Sequence, residues 1–111
     1  MGRMSRNKGK RGEREAAKEL ARVLGIEARR GIQFQGGPDS PDVATELDDW
    51  LHIEVKRCER LSIYAALEQA KEDANGKVPL VMHRRNGKPW IVITYLEDST
   101  NFITDKSLQL P

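Results

Sequence analysis

Three residues stand out for the chemistry that their types and spacing permit: Asp42, next to Pro41, and the pair Glu54 and Lys56 in the stretch "WLHIEVKR". In an extended strand successive side chains alternate between faces, so Leu51, Ile53 and Val55 point one way while His52, Glu54 and Lys56 point the other. A carboxylate and an ammonium then share the edge of a core, where an uncompensated charge is costly. A tight antiparallel turn would bring Asp42, at the start of the preceding strand, beside Glu54. Two hard oxygen donors at that spacing suit Mg2+, which binds through a few carboxylates and takes waters and substrate phosphate as its other ligands. Lys56 would hold, or help deprotonate, an attacking water. The chemistry implied is metal-assisted hydrolysis. A plainer reading is also open: a surface salt bridge between Glu54 and Lys56, with Asp42 closing a turn. Pro38-Asp39 is a competing proline–acid pair, with no apolar run directly behind it.

The elements that must position these residues follow from periodicity and turn chemistry. "GEREAAKELARVLGI" is the clearest helix, with Ala16, Leu20, Val23 and Leu24 at helical spacing and Gly25 as terminator. Glu15 lies off that stripe, and with Lys18 three residues on it reads by itself as a solvated acid. "IEARRGIQF" has strand character and "QGGPDSP" is a loop. "DVATEL" and "WLHIEVKR" are two further strands with Asp48-Asp49 at the turn between them. "SIYAALEQAKEDANG" is a second helix with Ser62 as N-cap, Ile63, Ala66, Leu67, Ala70 and Ala74 as its buried stripe, and Asn75-Gly76 as its stop. "VPLVMHRR" and "KPWIVITYL" flank Asn86-Gly87, a strong hairpin signal. Residues 97–111 carry no clear pattern. The order is αβββαββ, a mixed α/β domain without repeats.

Composition limits the partners. With 111 residues the chain makes one domain. It is 38% hydrophobic and 32% charged but only 5% aromatic, so contact with nucleic acid must rest on charge more than on stacking. Trp50 and Trp90 accordingly read as core and interface anchors. Net charge is +2, unevenly spread: Arg3, Arg6, Lys8, Lys10 and Arg11 fall in residues 1–11 with no acid. That segment reads as a flexible basic arm, either a phosphate-binding one or a solubilising tail. Arg29 and Arg30 are candidate bidentate phosphate donors. The sequence has neither a spanning stretch, nor a secretory pattern, nor a myristoylation site, and its single cysteine, Cys58, makes neither an internal disulfide nor a zinc site. An intracellular protein with no membrane partner is expected.

Pro41-Asp42 followed by Glu54-Val55-Lys56 resembles the motif of the PD-(D/E)XK nuclease superfamily. Beyond it, "KGKRGEREAAKEL" before and "IYAALEQA" after are similar to the archaeal and phage Holliday junction resolvases, over a span from about Lys8 to Asn86-Gly87. The resemblance implies a restriction-endonuclease-like core, a mixed central sheet flanked by helices, as one nuclease domain over residues 12–111. It implies a Mg2+-dependent DNA endonuclease, with Mn2+ as a substitute, that makes paired symmetric cuts in four-way junctions as a homodimer, encoded by a phage, archaeon or bacterium. By position, the family's first-helix glutamate falls on Glu15, which displaces the solvated reading of that residue. The metal ligands fall on Asp42, Glu54 and the Val55 carbonyl, and the catalytic lysine on Lys56. The second-helix glutamine falls on Gln69, positioning the lysine or a water. A polar loop near the junction falls on "FQGGPDS", including Ser40. Other superfamily substrates (nicked, flapped or plain duplex DNA) share the same site, and so would a non-catalytic DNA-binding module, against which the intact Asp42, Glu54 and Lys56 argue.

Overall fold

The computed structural model describes residues 2–31 and 40–103. Helix α1 (Gly2–Leu24) is followed by strands β1 (Ala28–Arg30), β2 (Val43–Thr45) and β3 (Leu51–Arg57). Helix α2 (Ile63–Ala74), strands β4 (Val78–Arg84) and β5 (Ile91–Ile93), and a 3-10 turn over Leu96–Asn101 follow among the described residues. The expected αβββαββ order is therefore present. The strands form one mixed sheet in the order β1-β2-β3-β4-β5, antiparallel except for the parallel β3–β4 pair that α2 connects. The backbone of the basic segment, expected as a flexible arm, runs helical from Gly2 directly into the apolar part of α1.

Alternation along β4 divides the core into two layers. Leu80 and Met82 join Leu51 and Ile53 of β3, Val43 of β2, and Ala16, Ala17 and Leu20 of α1 on one face. Val81 packs with Ala66, Leu67 and Ala70 of α2 on the other. Strand β3 is buried on both faces from Leu51 to Glu54, as the central strand of a covered sheet must be. The α1 stripe ends sooner than its periodicity predicts: Val23 and Leu24 are 61% and 54% exposed, and Val23 borders an open cleft with Met82, Trp90 and Val92. Ile63, expected in the α2 stripe, is exposed as well, while Ala66, Leu67, Ala70 and Ala74 are buried.

Local chemistry explains the element ends. The second strand stops at Thr45, two residues before its expected end. There the Asp48 carboxylate accepts the Thr45 amide (3.0 Å) and the Thr45 hydroxyl accepts the Leu47 amide (2.9 Å), turning the backbone early. Asn75 in the left-handed region (φ 50°) and Gly76 (φ 93°) end α2. The 3-10 turn brings Phe102 against Trp50, with ring centroids 5.5 Å apart, so the patternless end of the sequence covers one margin of the core.

Candidate active site

The site forms where β2 meets β3. Val43 pairs with Ile53 across the antiparallel ladder and both face α1, so their neighbours Asp42 and Glu54 share the opposite face. The Asp42 amide donates to the Ile53 carbonyl (2.9 Å), and Asp42 Oδ2 accepts the Val55 amide (2.8 Å), which fixes the carboxylate against the Glu-Val-Lys stretch. A glycine makes this approach possible. The Gly31 amide donates to the Asp42 carbonyl (2.8 Å), and a Cβ at Gly31 would lie 2.0 Å from the Pro41 carbonyl oxygen, so no other residue fits. Pro41-Asp42 is thereby held from both sides.

Glu54 is buried, and its Oε2 lies 2.6 Å from Nε2 of His52, itself only 1% exposed. The Glu54–Lys56 salt bridge allowed by the plainer reading is not formed, since Glu54 pairs with His52 instead. Lys56 is half-buried on the same face of β3, beside His83 in the parallel register, and forms no ion pair among the described residues. A lysine in that state keeps its ammonium available to a substrate.

Helix α1 brings two carboxylates to the sheet, and they go to different places. Gly12 sets the approach: a Cβ there would lie 2.8 Å from Arg57 Cβ at the end of β3. Glu15, expected in the active site, turns toward β4. It accepts hydrogen bonds from Arg84 Nη1 and from Trp90 Nε1 (3.1 Å), and Arg57 Nε lies 3.6 Å away. Glu13 is the α1 acid that feels the site. Its carboxylate pairs with Arg30 (3.0 Å) yet ionises above the usual carboxylate range, chiefly because burial disfavours its charge, with the charge of Glu54 adding to the effect and Arg30 opposing it. The sequence held a signal for this, because Glu13 continues the 16, 17, 20 stripe at helical spacing whereas Glu15 lies off it.

The remaining expected residues divide in the same way. Gln69 is not brought to the site: it is exposed, and its amide donates to Asp73 four residues along α2 (3.2 Å) and not to Lys56. Arg30 is committed to Glu13, while Arg29 is exposed. Lys10 and Arg11 are exposed on α1; the side chains of Arg6 and Lys8 lie outside the described residues, as do Pro38, Asp39 and all of the expected polar loop except the half-buried Ser40. Both tryptophans are half-buried against the α1-side core, consistent with anchoring. Cys58 follows β3, its thiol near the Arg60 carbonyl (3.3 Å). His52, on the Glu54 face, is buried and cannot reach a substrate.

The side-chain donors available to a metal are the two carboxylates of Asp42 and Glu54. Among the described residues no group of three or more His, Cys, Asp or Glu stands close enough to hold an ion. Two neighbouring carboxylates fit Mg2+, which retains several waters and relies on few protein ligands, better than Zn2+, which wants a complete nitrogen or sulfur set. No helix among the described residues is long and apolar enough to cross a membrane.

A mixed five-stranded sheet covered by helices, with an acid at the head of one strand and Glu-X-Lys on the next, defines a restriction-endonuclease-like nuclease core. The chain belongs to the PD-(D/E)XK superfamily: the model of the family described as "Phage putative PDDEXK endonuclease" matches residues 4–110. Nucleases of this kind generally use divalent metals and act on DNA. No curated protein and no solved structure matches the chain.

Proposed function

We propose that this protein is a Mg2+-dependent DNA endonuclease acting on branched DNA, with the four-way junction as its preferred substrate and a homodimer as its active form. The observation that carries the nuclease reading is the fixed pairing of Asp42 and Glu54 on one face, beside Lys56, in a member of an endonuclease family. Asp42, Glu54 and the Val55 carbonyl would hold the cation. When bound, it supplies charge stabilisation at the scissile phosphate and lowers the pKa of a water.

The chain's own residues do the rest. Lys56 orients the attacking water and offsets the negative charge that grows on the phosphate as the new P–O bond forms and the P–O bond to the leaving oxygen breaks. Glu13, on the α1 side of the sheet, is the helix carboxylate whose proton affinity is raised chiefly by burial and also by the charge of Glu54, and it tunes the field around the site in place of Glu15. Arg29, Lys10 and Arg11 contact flanking phosphates, with Arg6 and Lys8 extending the same basic run, and Ser40 lies at the loop margin. These contacts position the duplex without reading sequence.

The junction preference rests on the similarity of the sequence around the first and second helices to the resolvases. A four-way junction is resolved by two cuts related by its two-fold symmetry, and one chain supplies one Asp42–Glu54–Lys56 cluster, so a symmetric dimer provides both. The test is incubation with a labelled four-way junction and a matched linear duplex, with and without Mg2+. Preferential cutting of the junction that requires Mg2+ is expected; equal cutting of both DNAs replaces the junction reading with a general nuclease.

A further inference from the structure

The protein has two histidines, and the structure uses them differently. His83 is half-buried and its Nε2 meets the backbone carbonyl of Cys58 (2.9 Å), tying the exit of β3 to β4. His52 is 1% exposed, and its Nε2 meets a carboxylate oxygen at 2.6 Å. An imidazole is an expensive group to bury unless it is hydrogen-bonded. At this position any apolar side chain of similar size would pack on the sheet without that cost. The partner it has taken is Glu54, the acid assigned to the cation.

We propose that His52 is the positioning residue of Glu54: its imidazole donates Nε2–H to Oε2 and leaves Oε1 as the single oxygen that Glu54 offers to the divalent cation. The inference rests on the metal-site reading above. The carboxylate can only accept, so the ring nitrogen is the donor. Because the two side chains project from the same face of one strand, two residues apart, the ring is fixed by β3 itself and by burial, not by a mobile loop. Glu54 has rotatable bonds that would otherwise sample several carboxylate orientations; tying Oε2 selects one of them before a metal arrives. Asp42 is held by comparable means, through the Val55 amide. Both proposed ligands are thus oriented by donors that never touch substrate, the arrangement that makes a weak two-carboxylate set serviceable for Mg2+.

The test compares His52→Met, which keeps the apolar volume and loses the donor, with His52→Gln, whose amide nitrogen reaches close to the position of Nε2. Mn2+ affinity of the purified protein, measured without DNA from the electron paramagnetic resonance signal of free Mn2+, is the first readout. His52→Met should bind Mn2+ about 10- to 100-fold more weakly and His52→Gln should recover most of that affinity, the scale expected when a group orienting a ligand is removed and replaced. Thermal unfolding of both variants shows whether the fold survives. Should His52→Met fail to fold, the metal-free wild type carries the decision: a downfield imidazole N–H resonance is expected that moves upfield in Glu54→Gln. Wild-type Mn2+ affinity in a folded His52→Met, equal weakening in both variants, or the absence of that resonance overturns the positioning role and leaves the metal site standing. If the wild type itself binds no Mn2+, the metal-site reading fails first, and the positioning role with it.

Discussion

Glu13 and Glu15 are the same residue type, two positions apart on one helix, and their surroundings differ in kind. Around Glu15, Arg84 and Trp90 donate to the carboxylate and Arg57 stands nearby, so the acid is fully compensated and ties α1 to the ends of β3 and β4. Around Glu13 burial outweighs the paired Arg30 and the nearby Arg14, and a second carboxylate, Glu54, adds its field to raise the proton affinity. A compensated acid holds structure together. An acid whose burial outweighs its positive partners is kept at a cost to stability, and such a cost points to function. The same contrast separates Glu54, buried against an imidazole, from the exposed Glu19–Arg22 pair on α1, which contributes little to stability.

The largest effect should come from the acids at the centre of the functional side. Asp42→Asn or Glu54→Gln should reduce DNA cleavage by about 1000-fold or more, on the scale of removing a group that stabilises the transition state directly, while DNA affinity measured without cleavage stays within a few-fold. Wild-type cleavage rates for either variant across a Mg2+ titration would place the site elsewhere.

Next come the two helix glutamates, exchanged one at a time. Glu15→Leu strips the partner from Arg84 and Trp90 and should destabilise the fold by about 1–3 kcal/mol, with little change in the cleavage rate of the folded protein. Glu13→Gln should do the opposite: retain stability and slow cleavage. The pH dependence distinguishes them further. Because the folded protein raises the proton affinity of Glu13, the native state binds more protons than the unfolded chain between the unfolded and folded pKa values. Wild-type stability from this group is therefore fully present below the unfolded value and falls as pH rises through the folded one. Glu13→Gln removes that decline, so its stability relative to wild type should improve from acid toward neutral pH in chemical denaturation, whereas Glu15→Leu should show no such trend from residue 13. A cleavage defect in Glu15→Leu at full stability, with none in Glu13→Gln, reverses the comparison.

How much of this was legible in the sequence depends on range. The Glu-X-Lys strand, the Asn-Gly hairpin and the buried alanine–leucine stripe of α2 are set by interactions within a few residues, and they stand where periodicity places them. The Asp42–Glu54 pairing was legible as well, because alternation on two adjacent strands leaves few registers. The fate of Glu15 was not, since it depends on Arg84 and Trp90, some 69 and 75 residues further on. His52 was correctly placed on the Glu54 face, but its burial depends on how the sheet is covered. The early end of β2 depends on the Asp48 and Thr45 side chains competing with the ladder, a choice that strand propensity alone does not register.

The basic run offers a smaller effect. Residues 1–7 include Arg3 and Arg6 on the first turns of α1. Deleting them should weaken binding to linear and branched DNA alike and flatten the dependence of log affinity on log salt by about one unit for each phosphate that is no longer neutralised. An unchanged slope would leave the DNA contacts to Lys8, Lys10, Arg11 and Arg29.

The smallest effect is expected at Gln69, and it separates what the resemblance implies from what the fold presents. The resemblance to the resolvases implies a glutamine of the second helix that positions the lysine or a water. Here the buried face of α2 is made by Ala66, Leu67, Ala70 and Ala74, and Gln69 lies outside it, exposed and bonded to Asp73. A hydrogen bond between residues four apart on an exposed helix face is worth about 0.2–0.5 kcal/mol. Gln69→Ala should therefore leave stability nearly unchanged, and cleavage should stay within about two-fold of wild type, well under the roughly 1.4 kcal/mol that a tenfold rate change represents. The comparison is sharpest with Glu13→Gln measured in the same assay, since both residues carry polar side chains on helices flanking the sheet and only one of them feels Glu54. Should Gln69→Ala cost tenfold or more in cleavage while binding and stability hold, α2 must rotate or shift toward Lys56 when DNA is bound. The single-turnover rate and the affinity, measured separately on the same junction, would then show whether the defect falls on the chemical step.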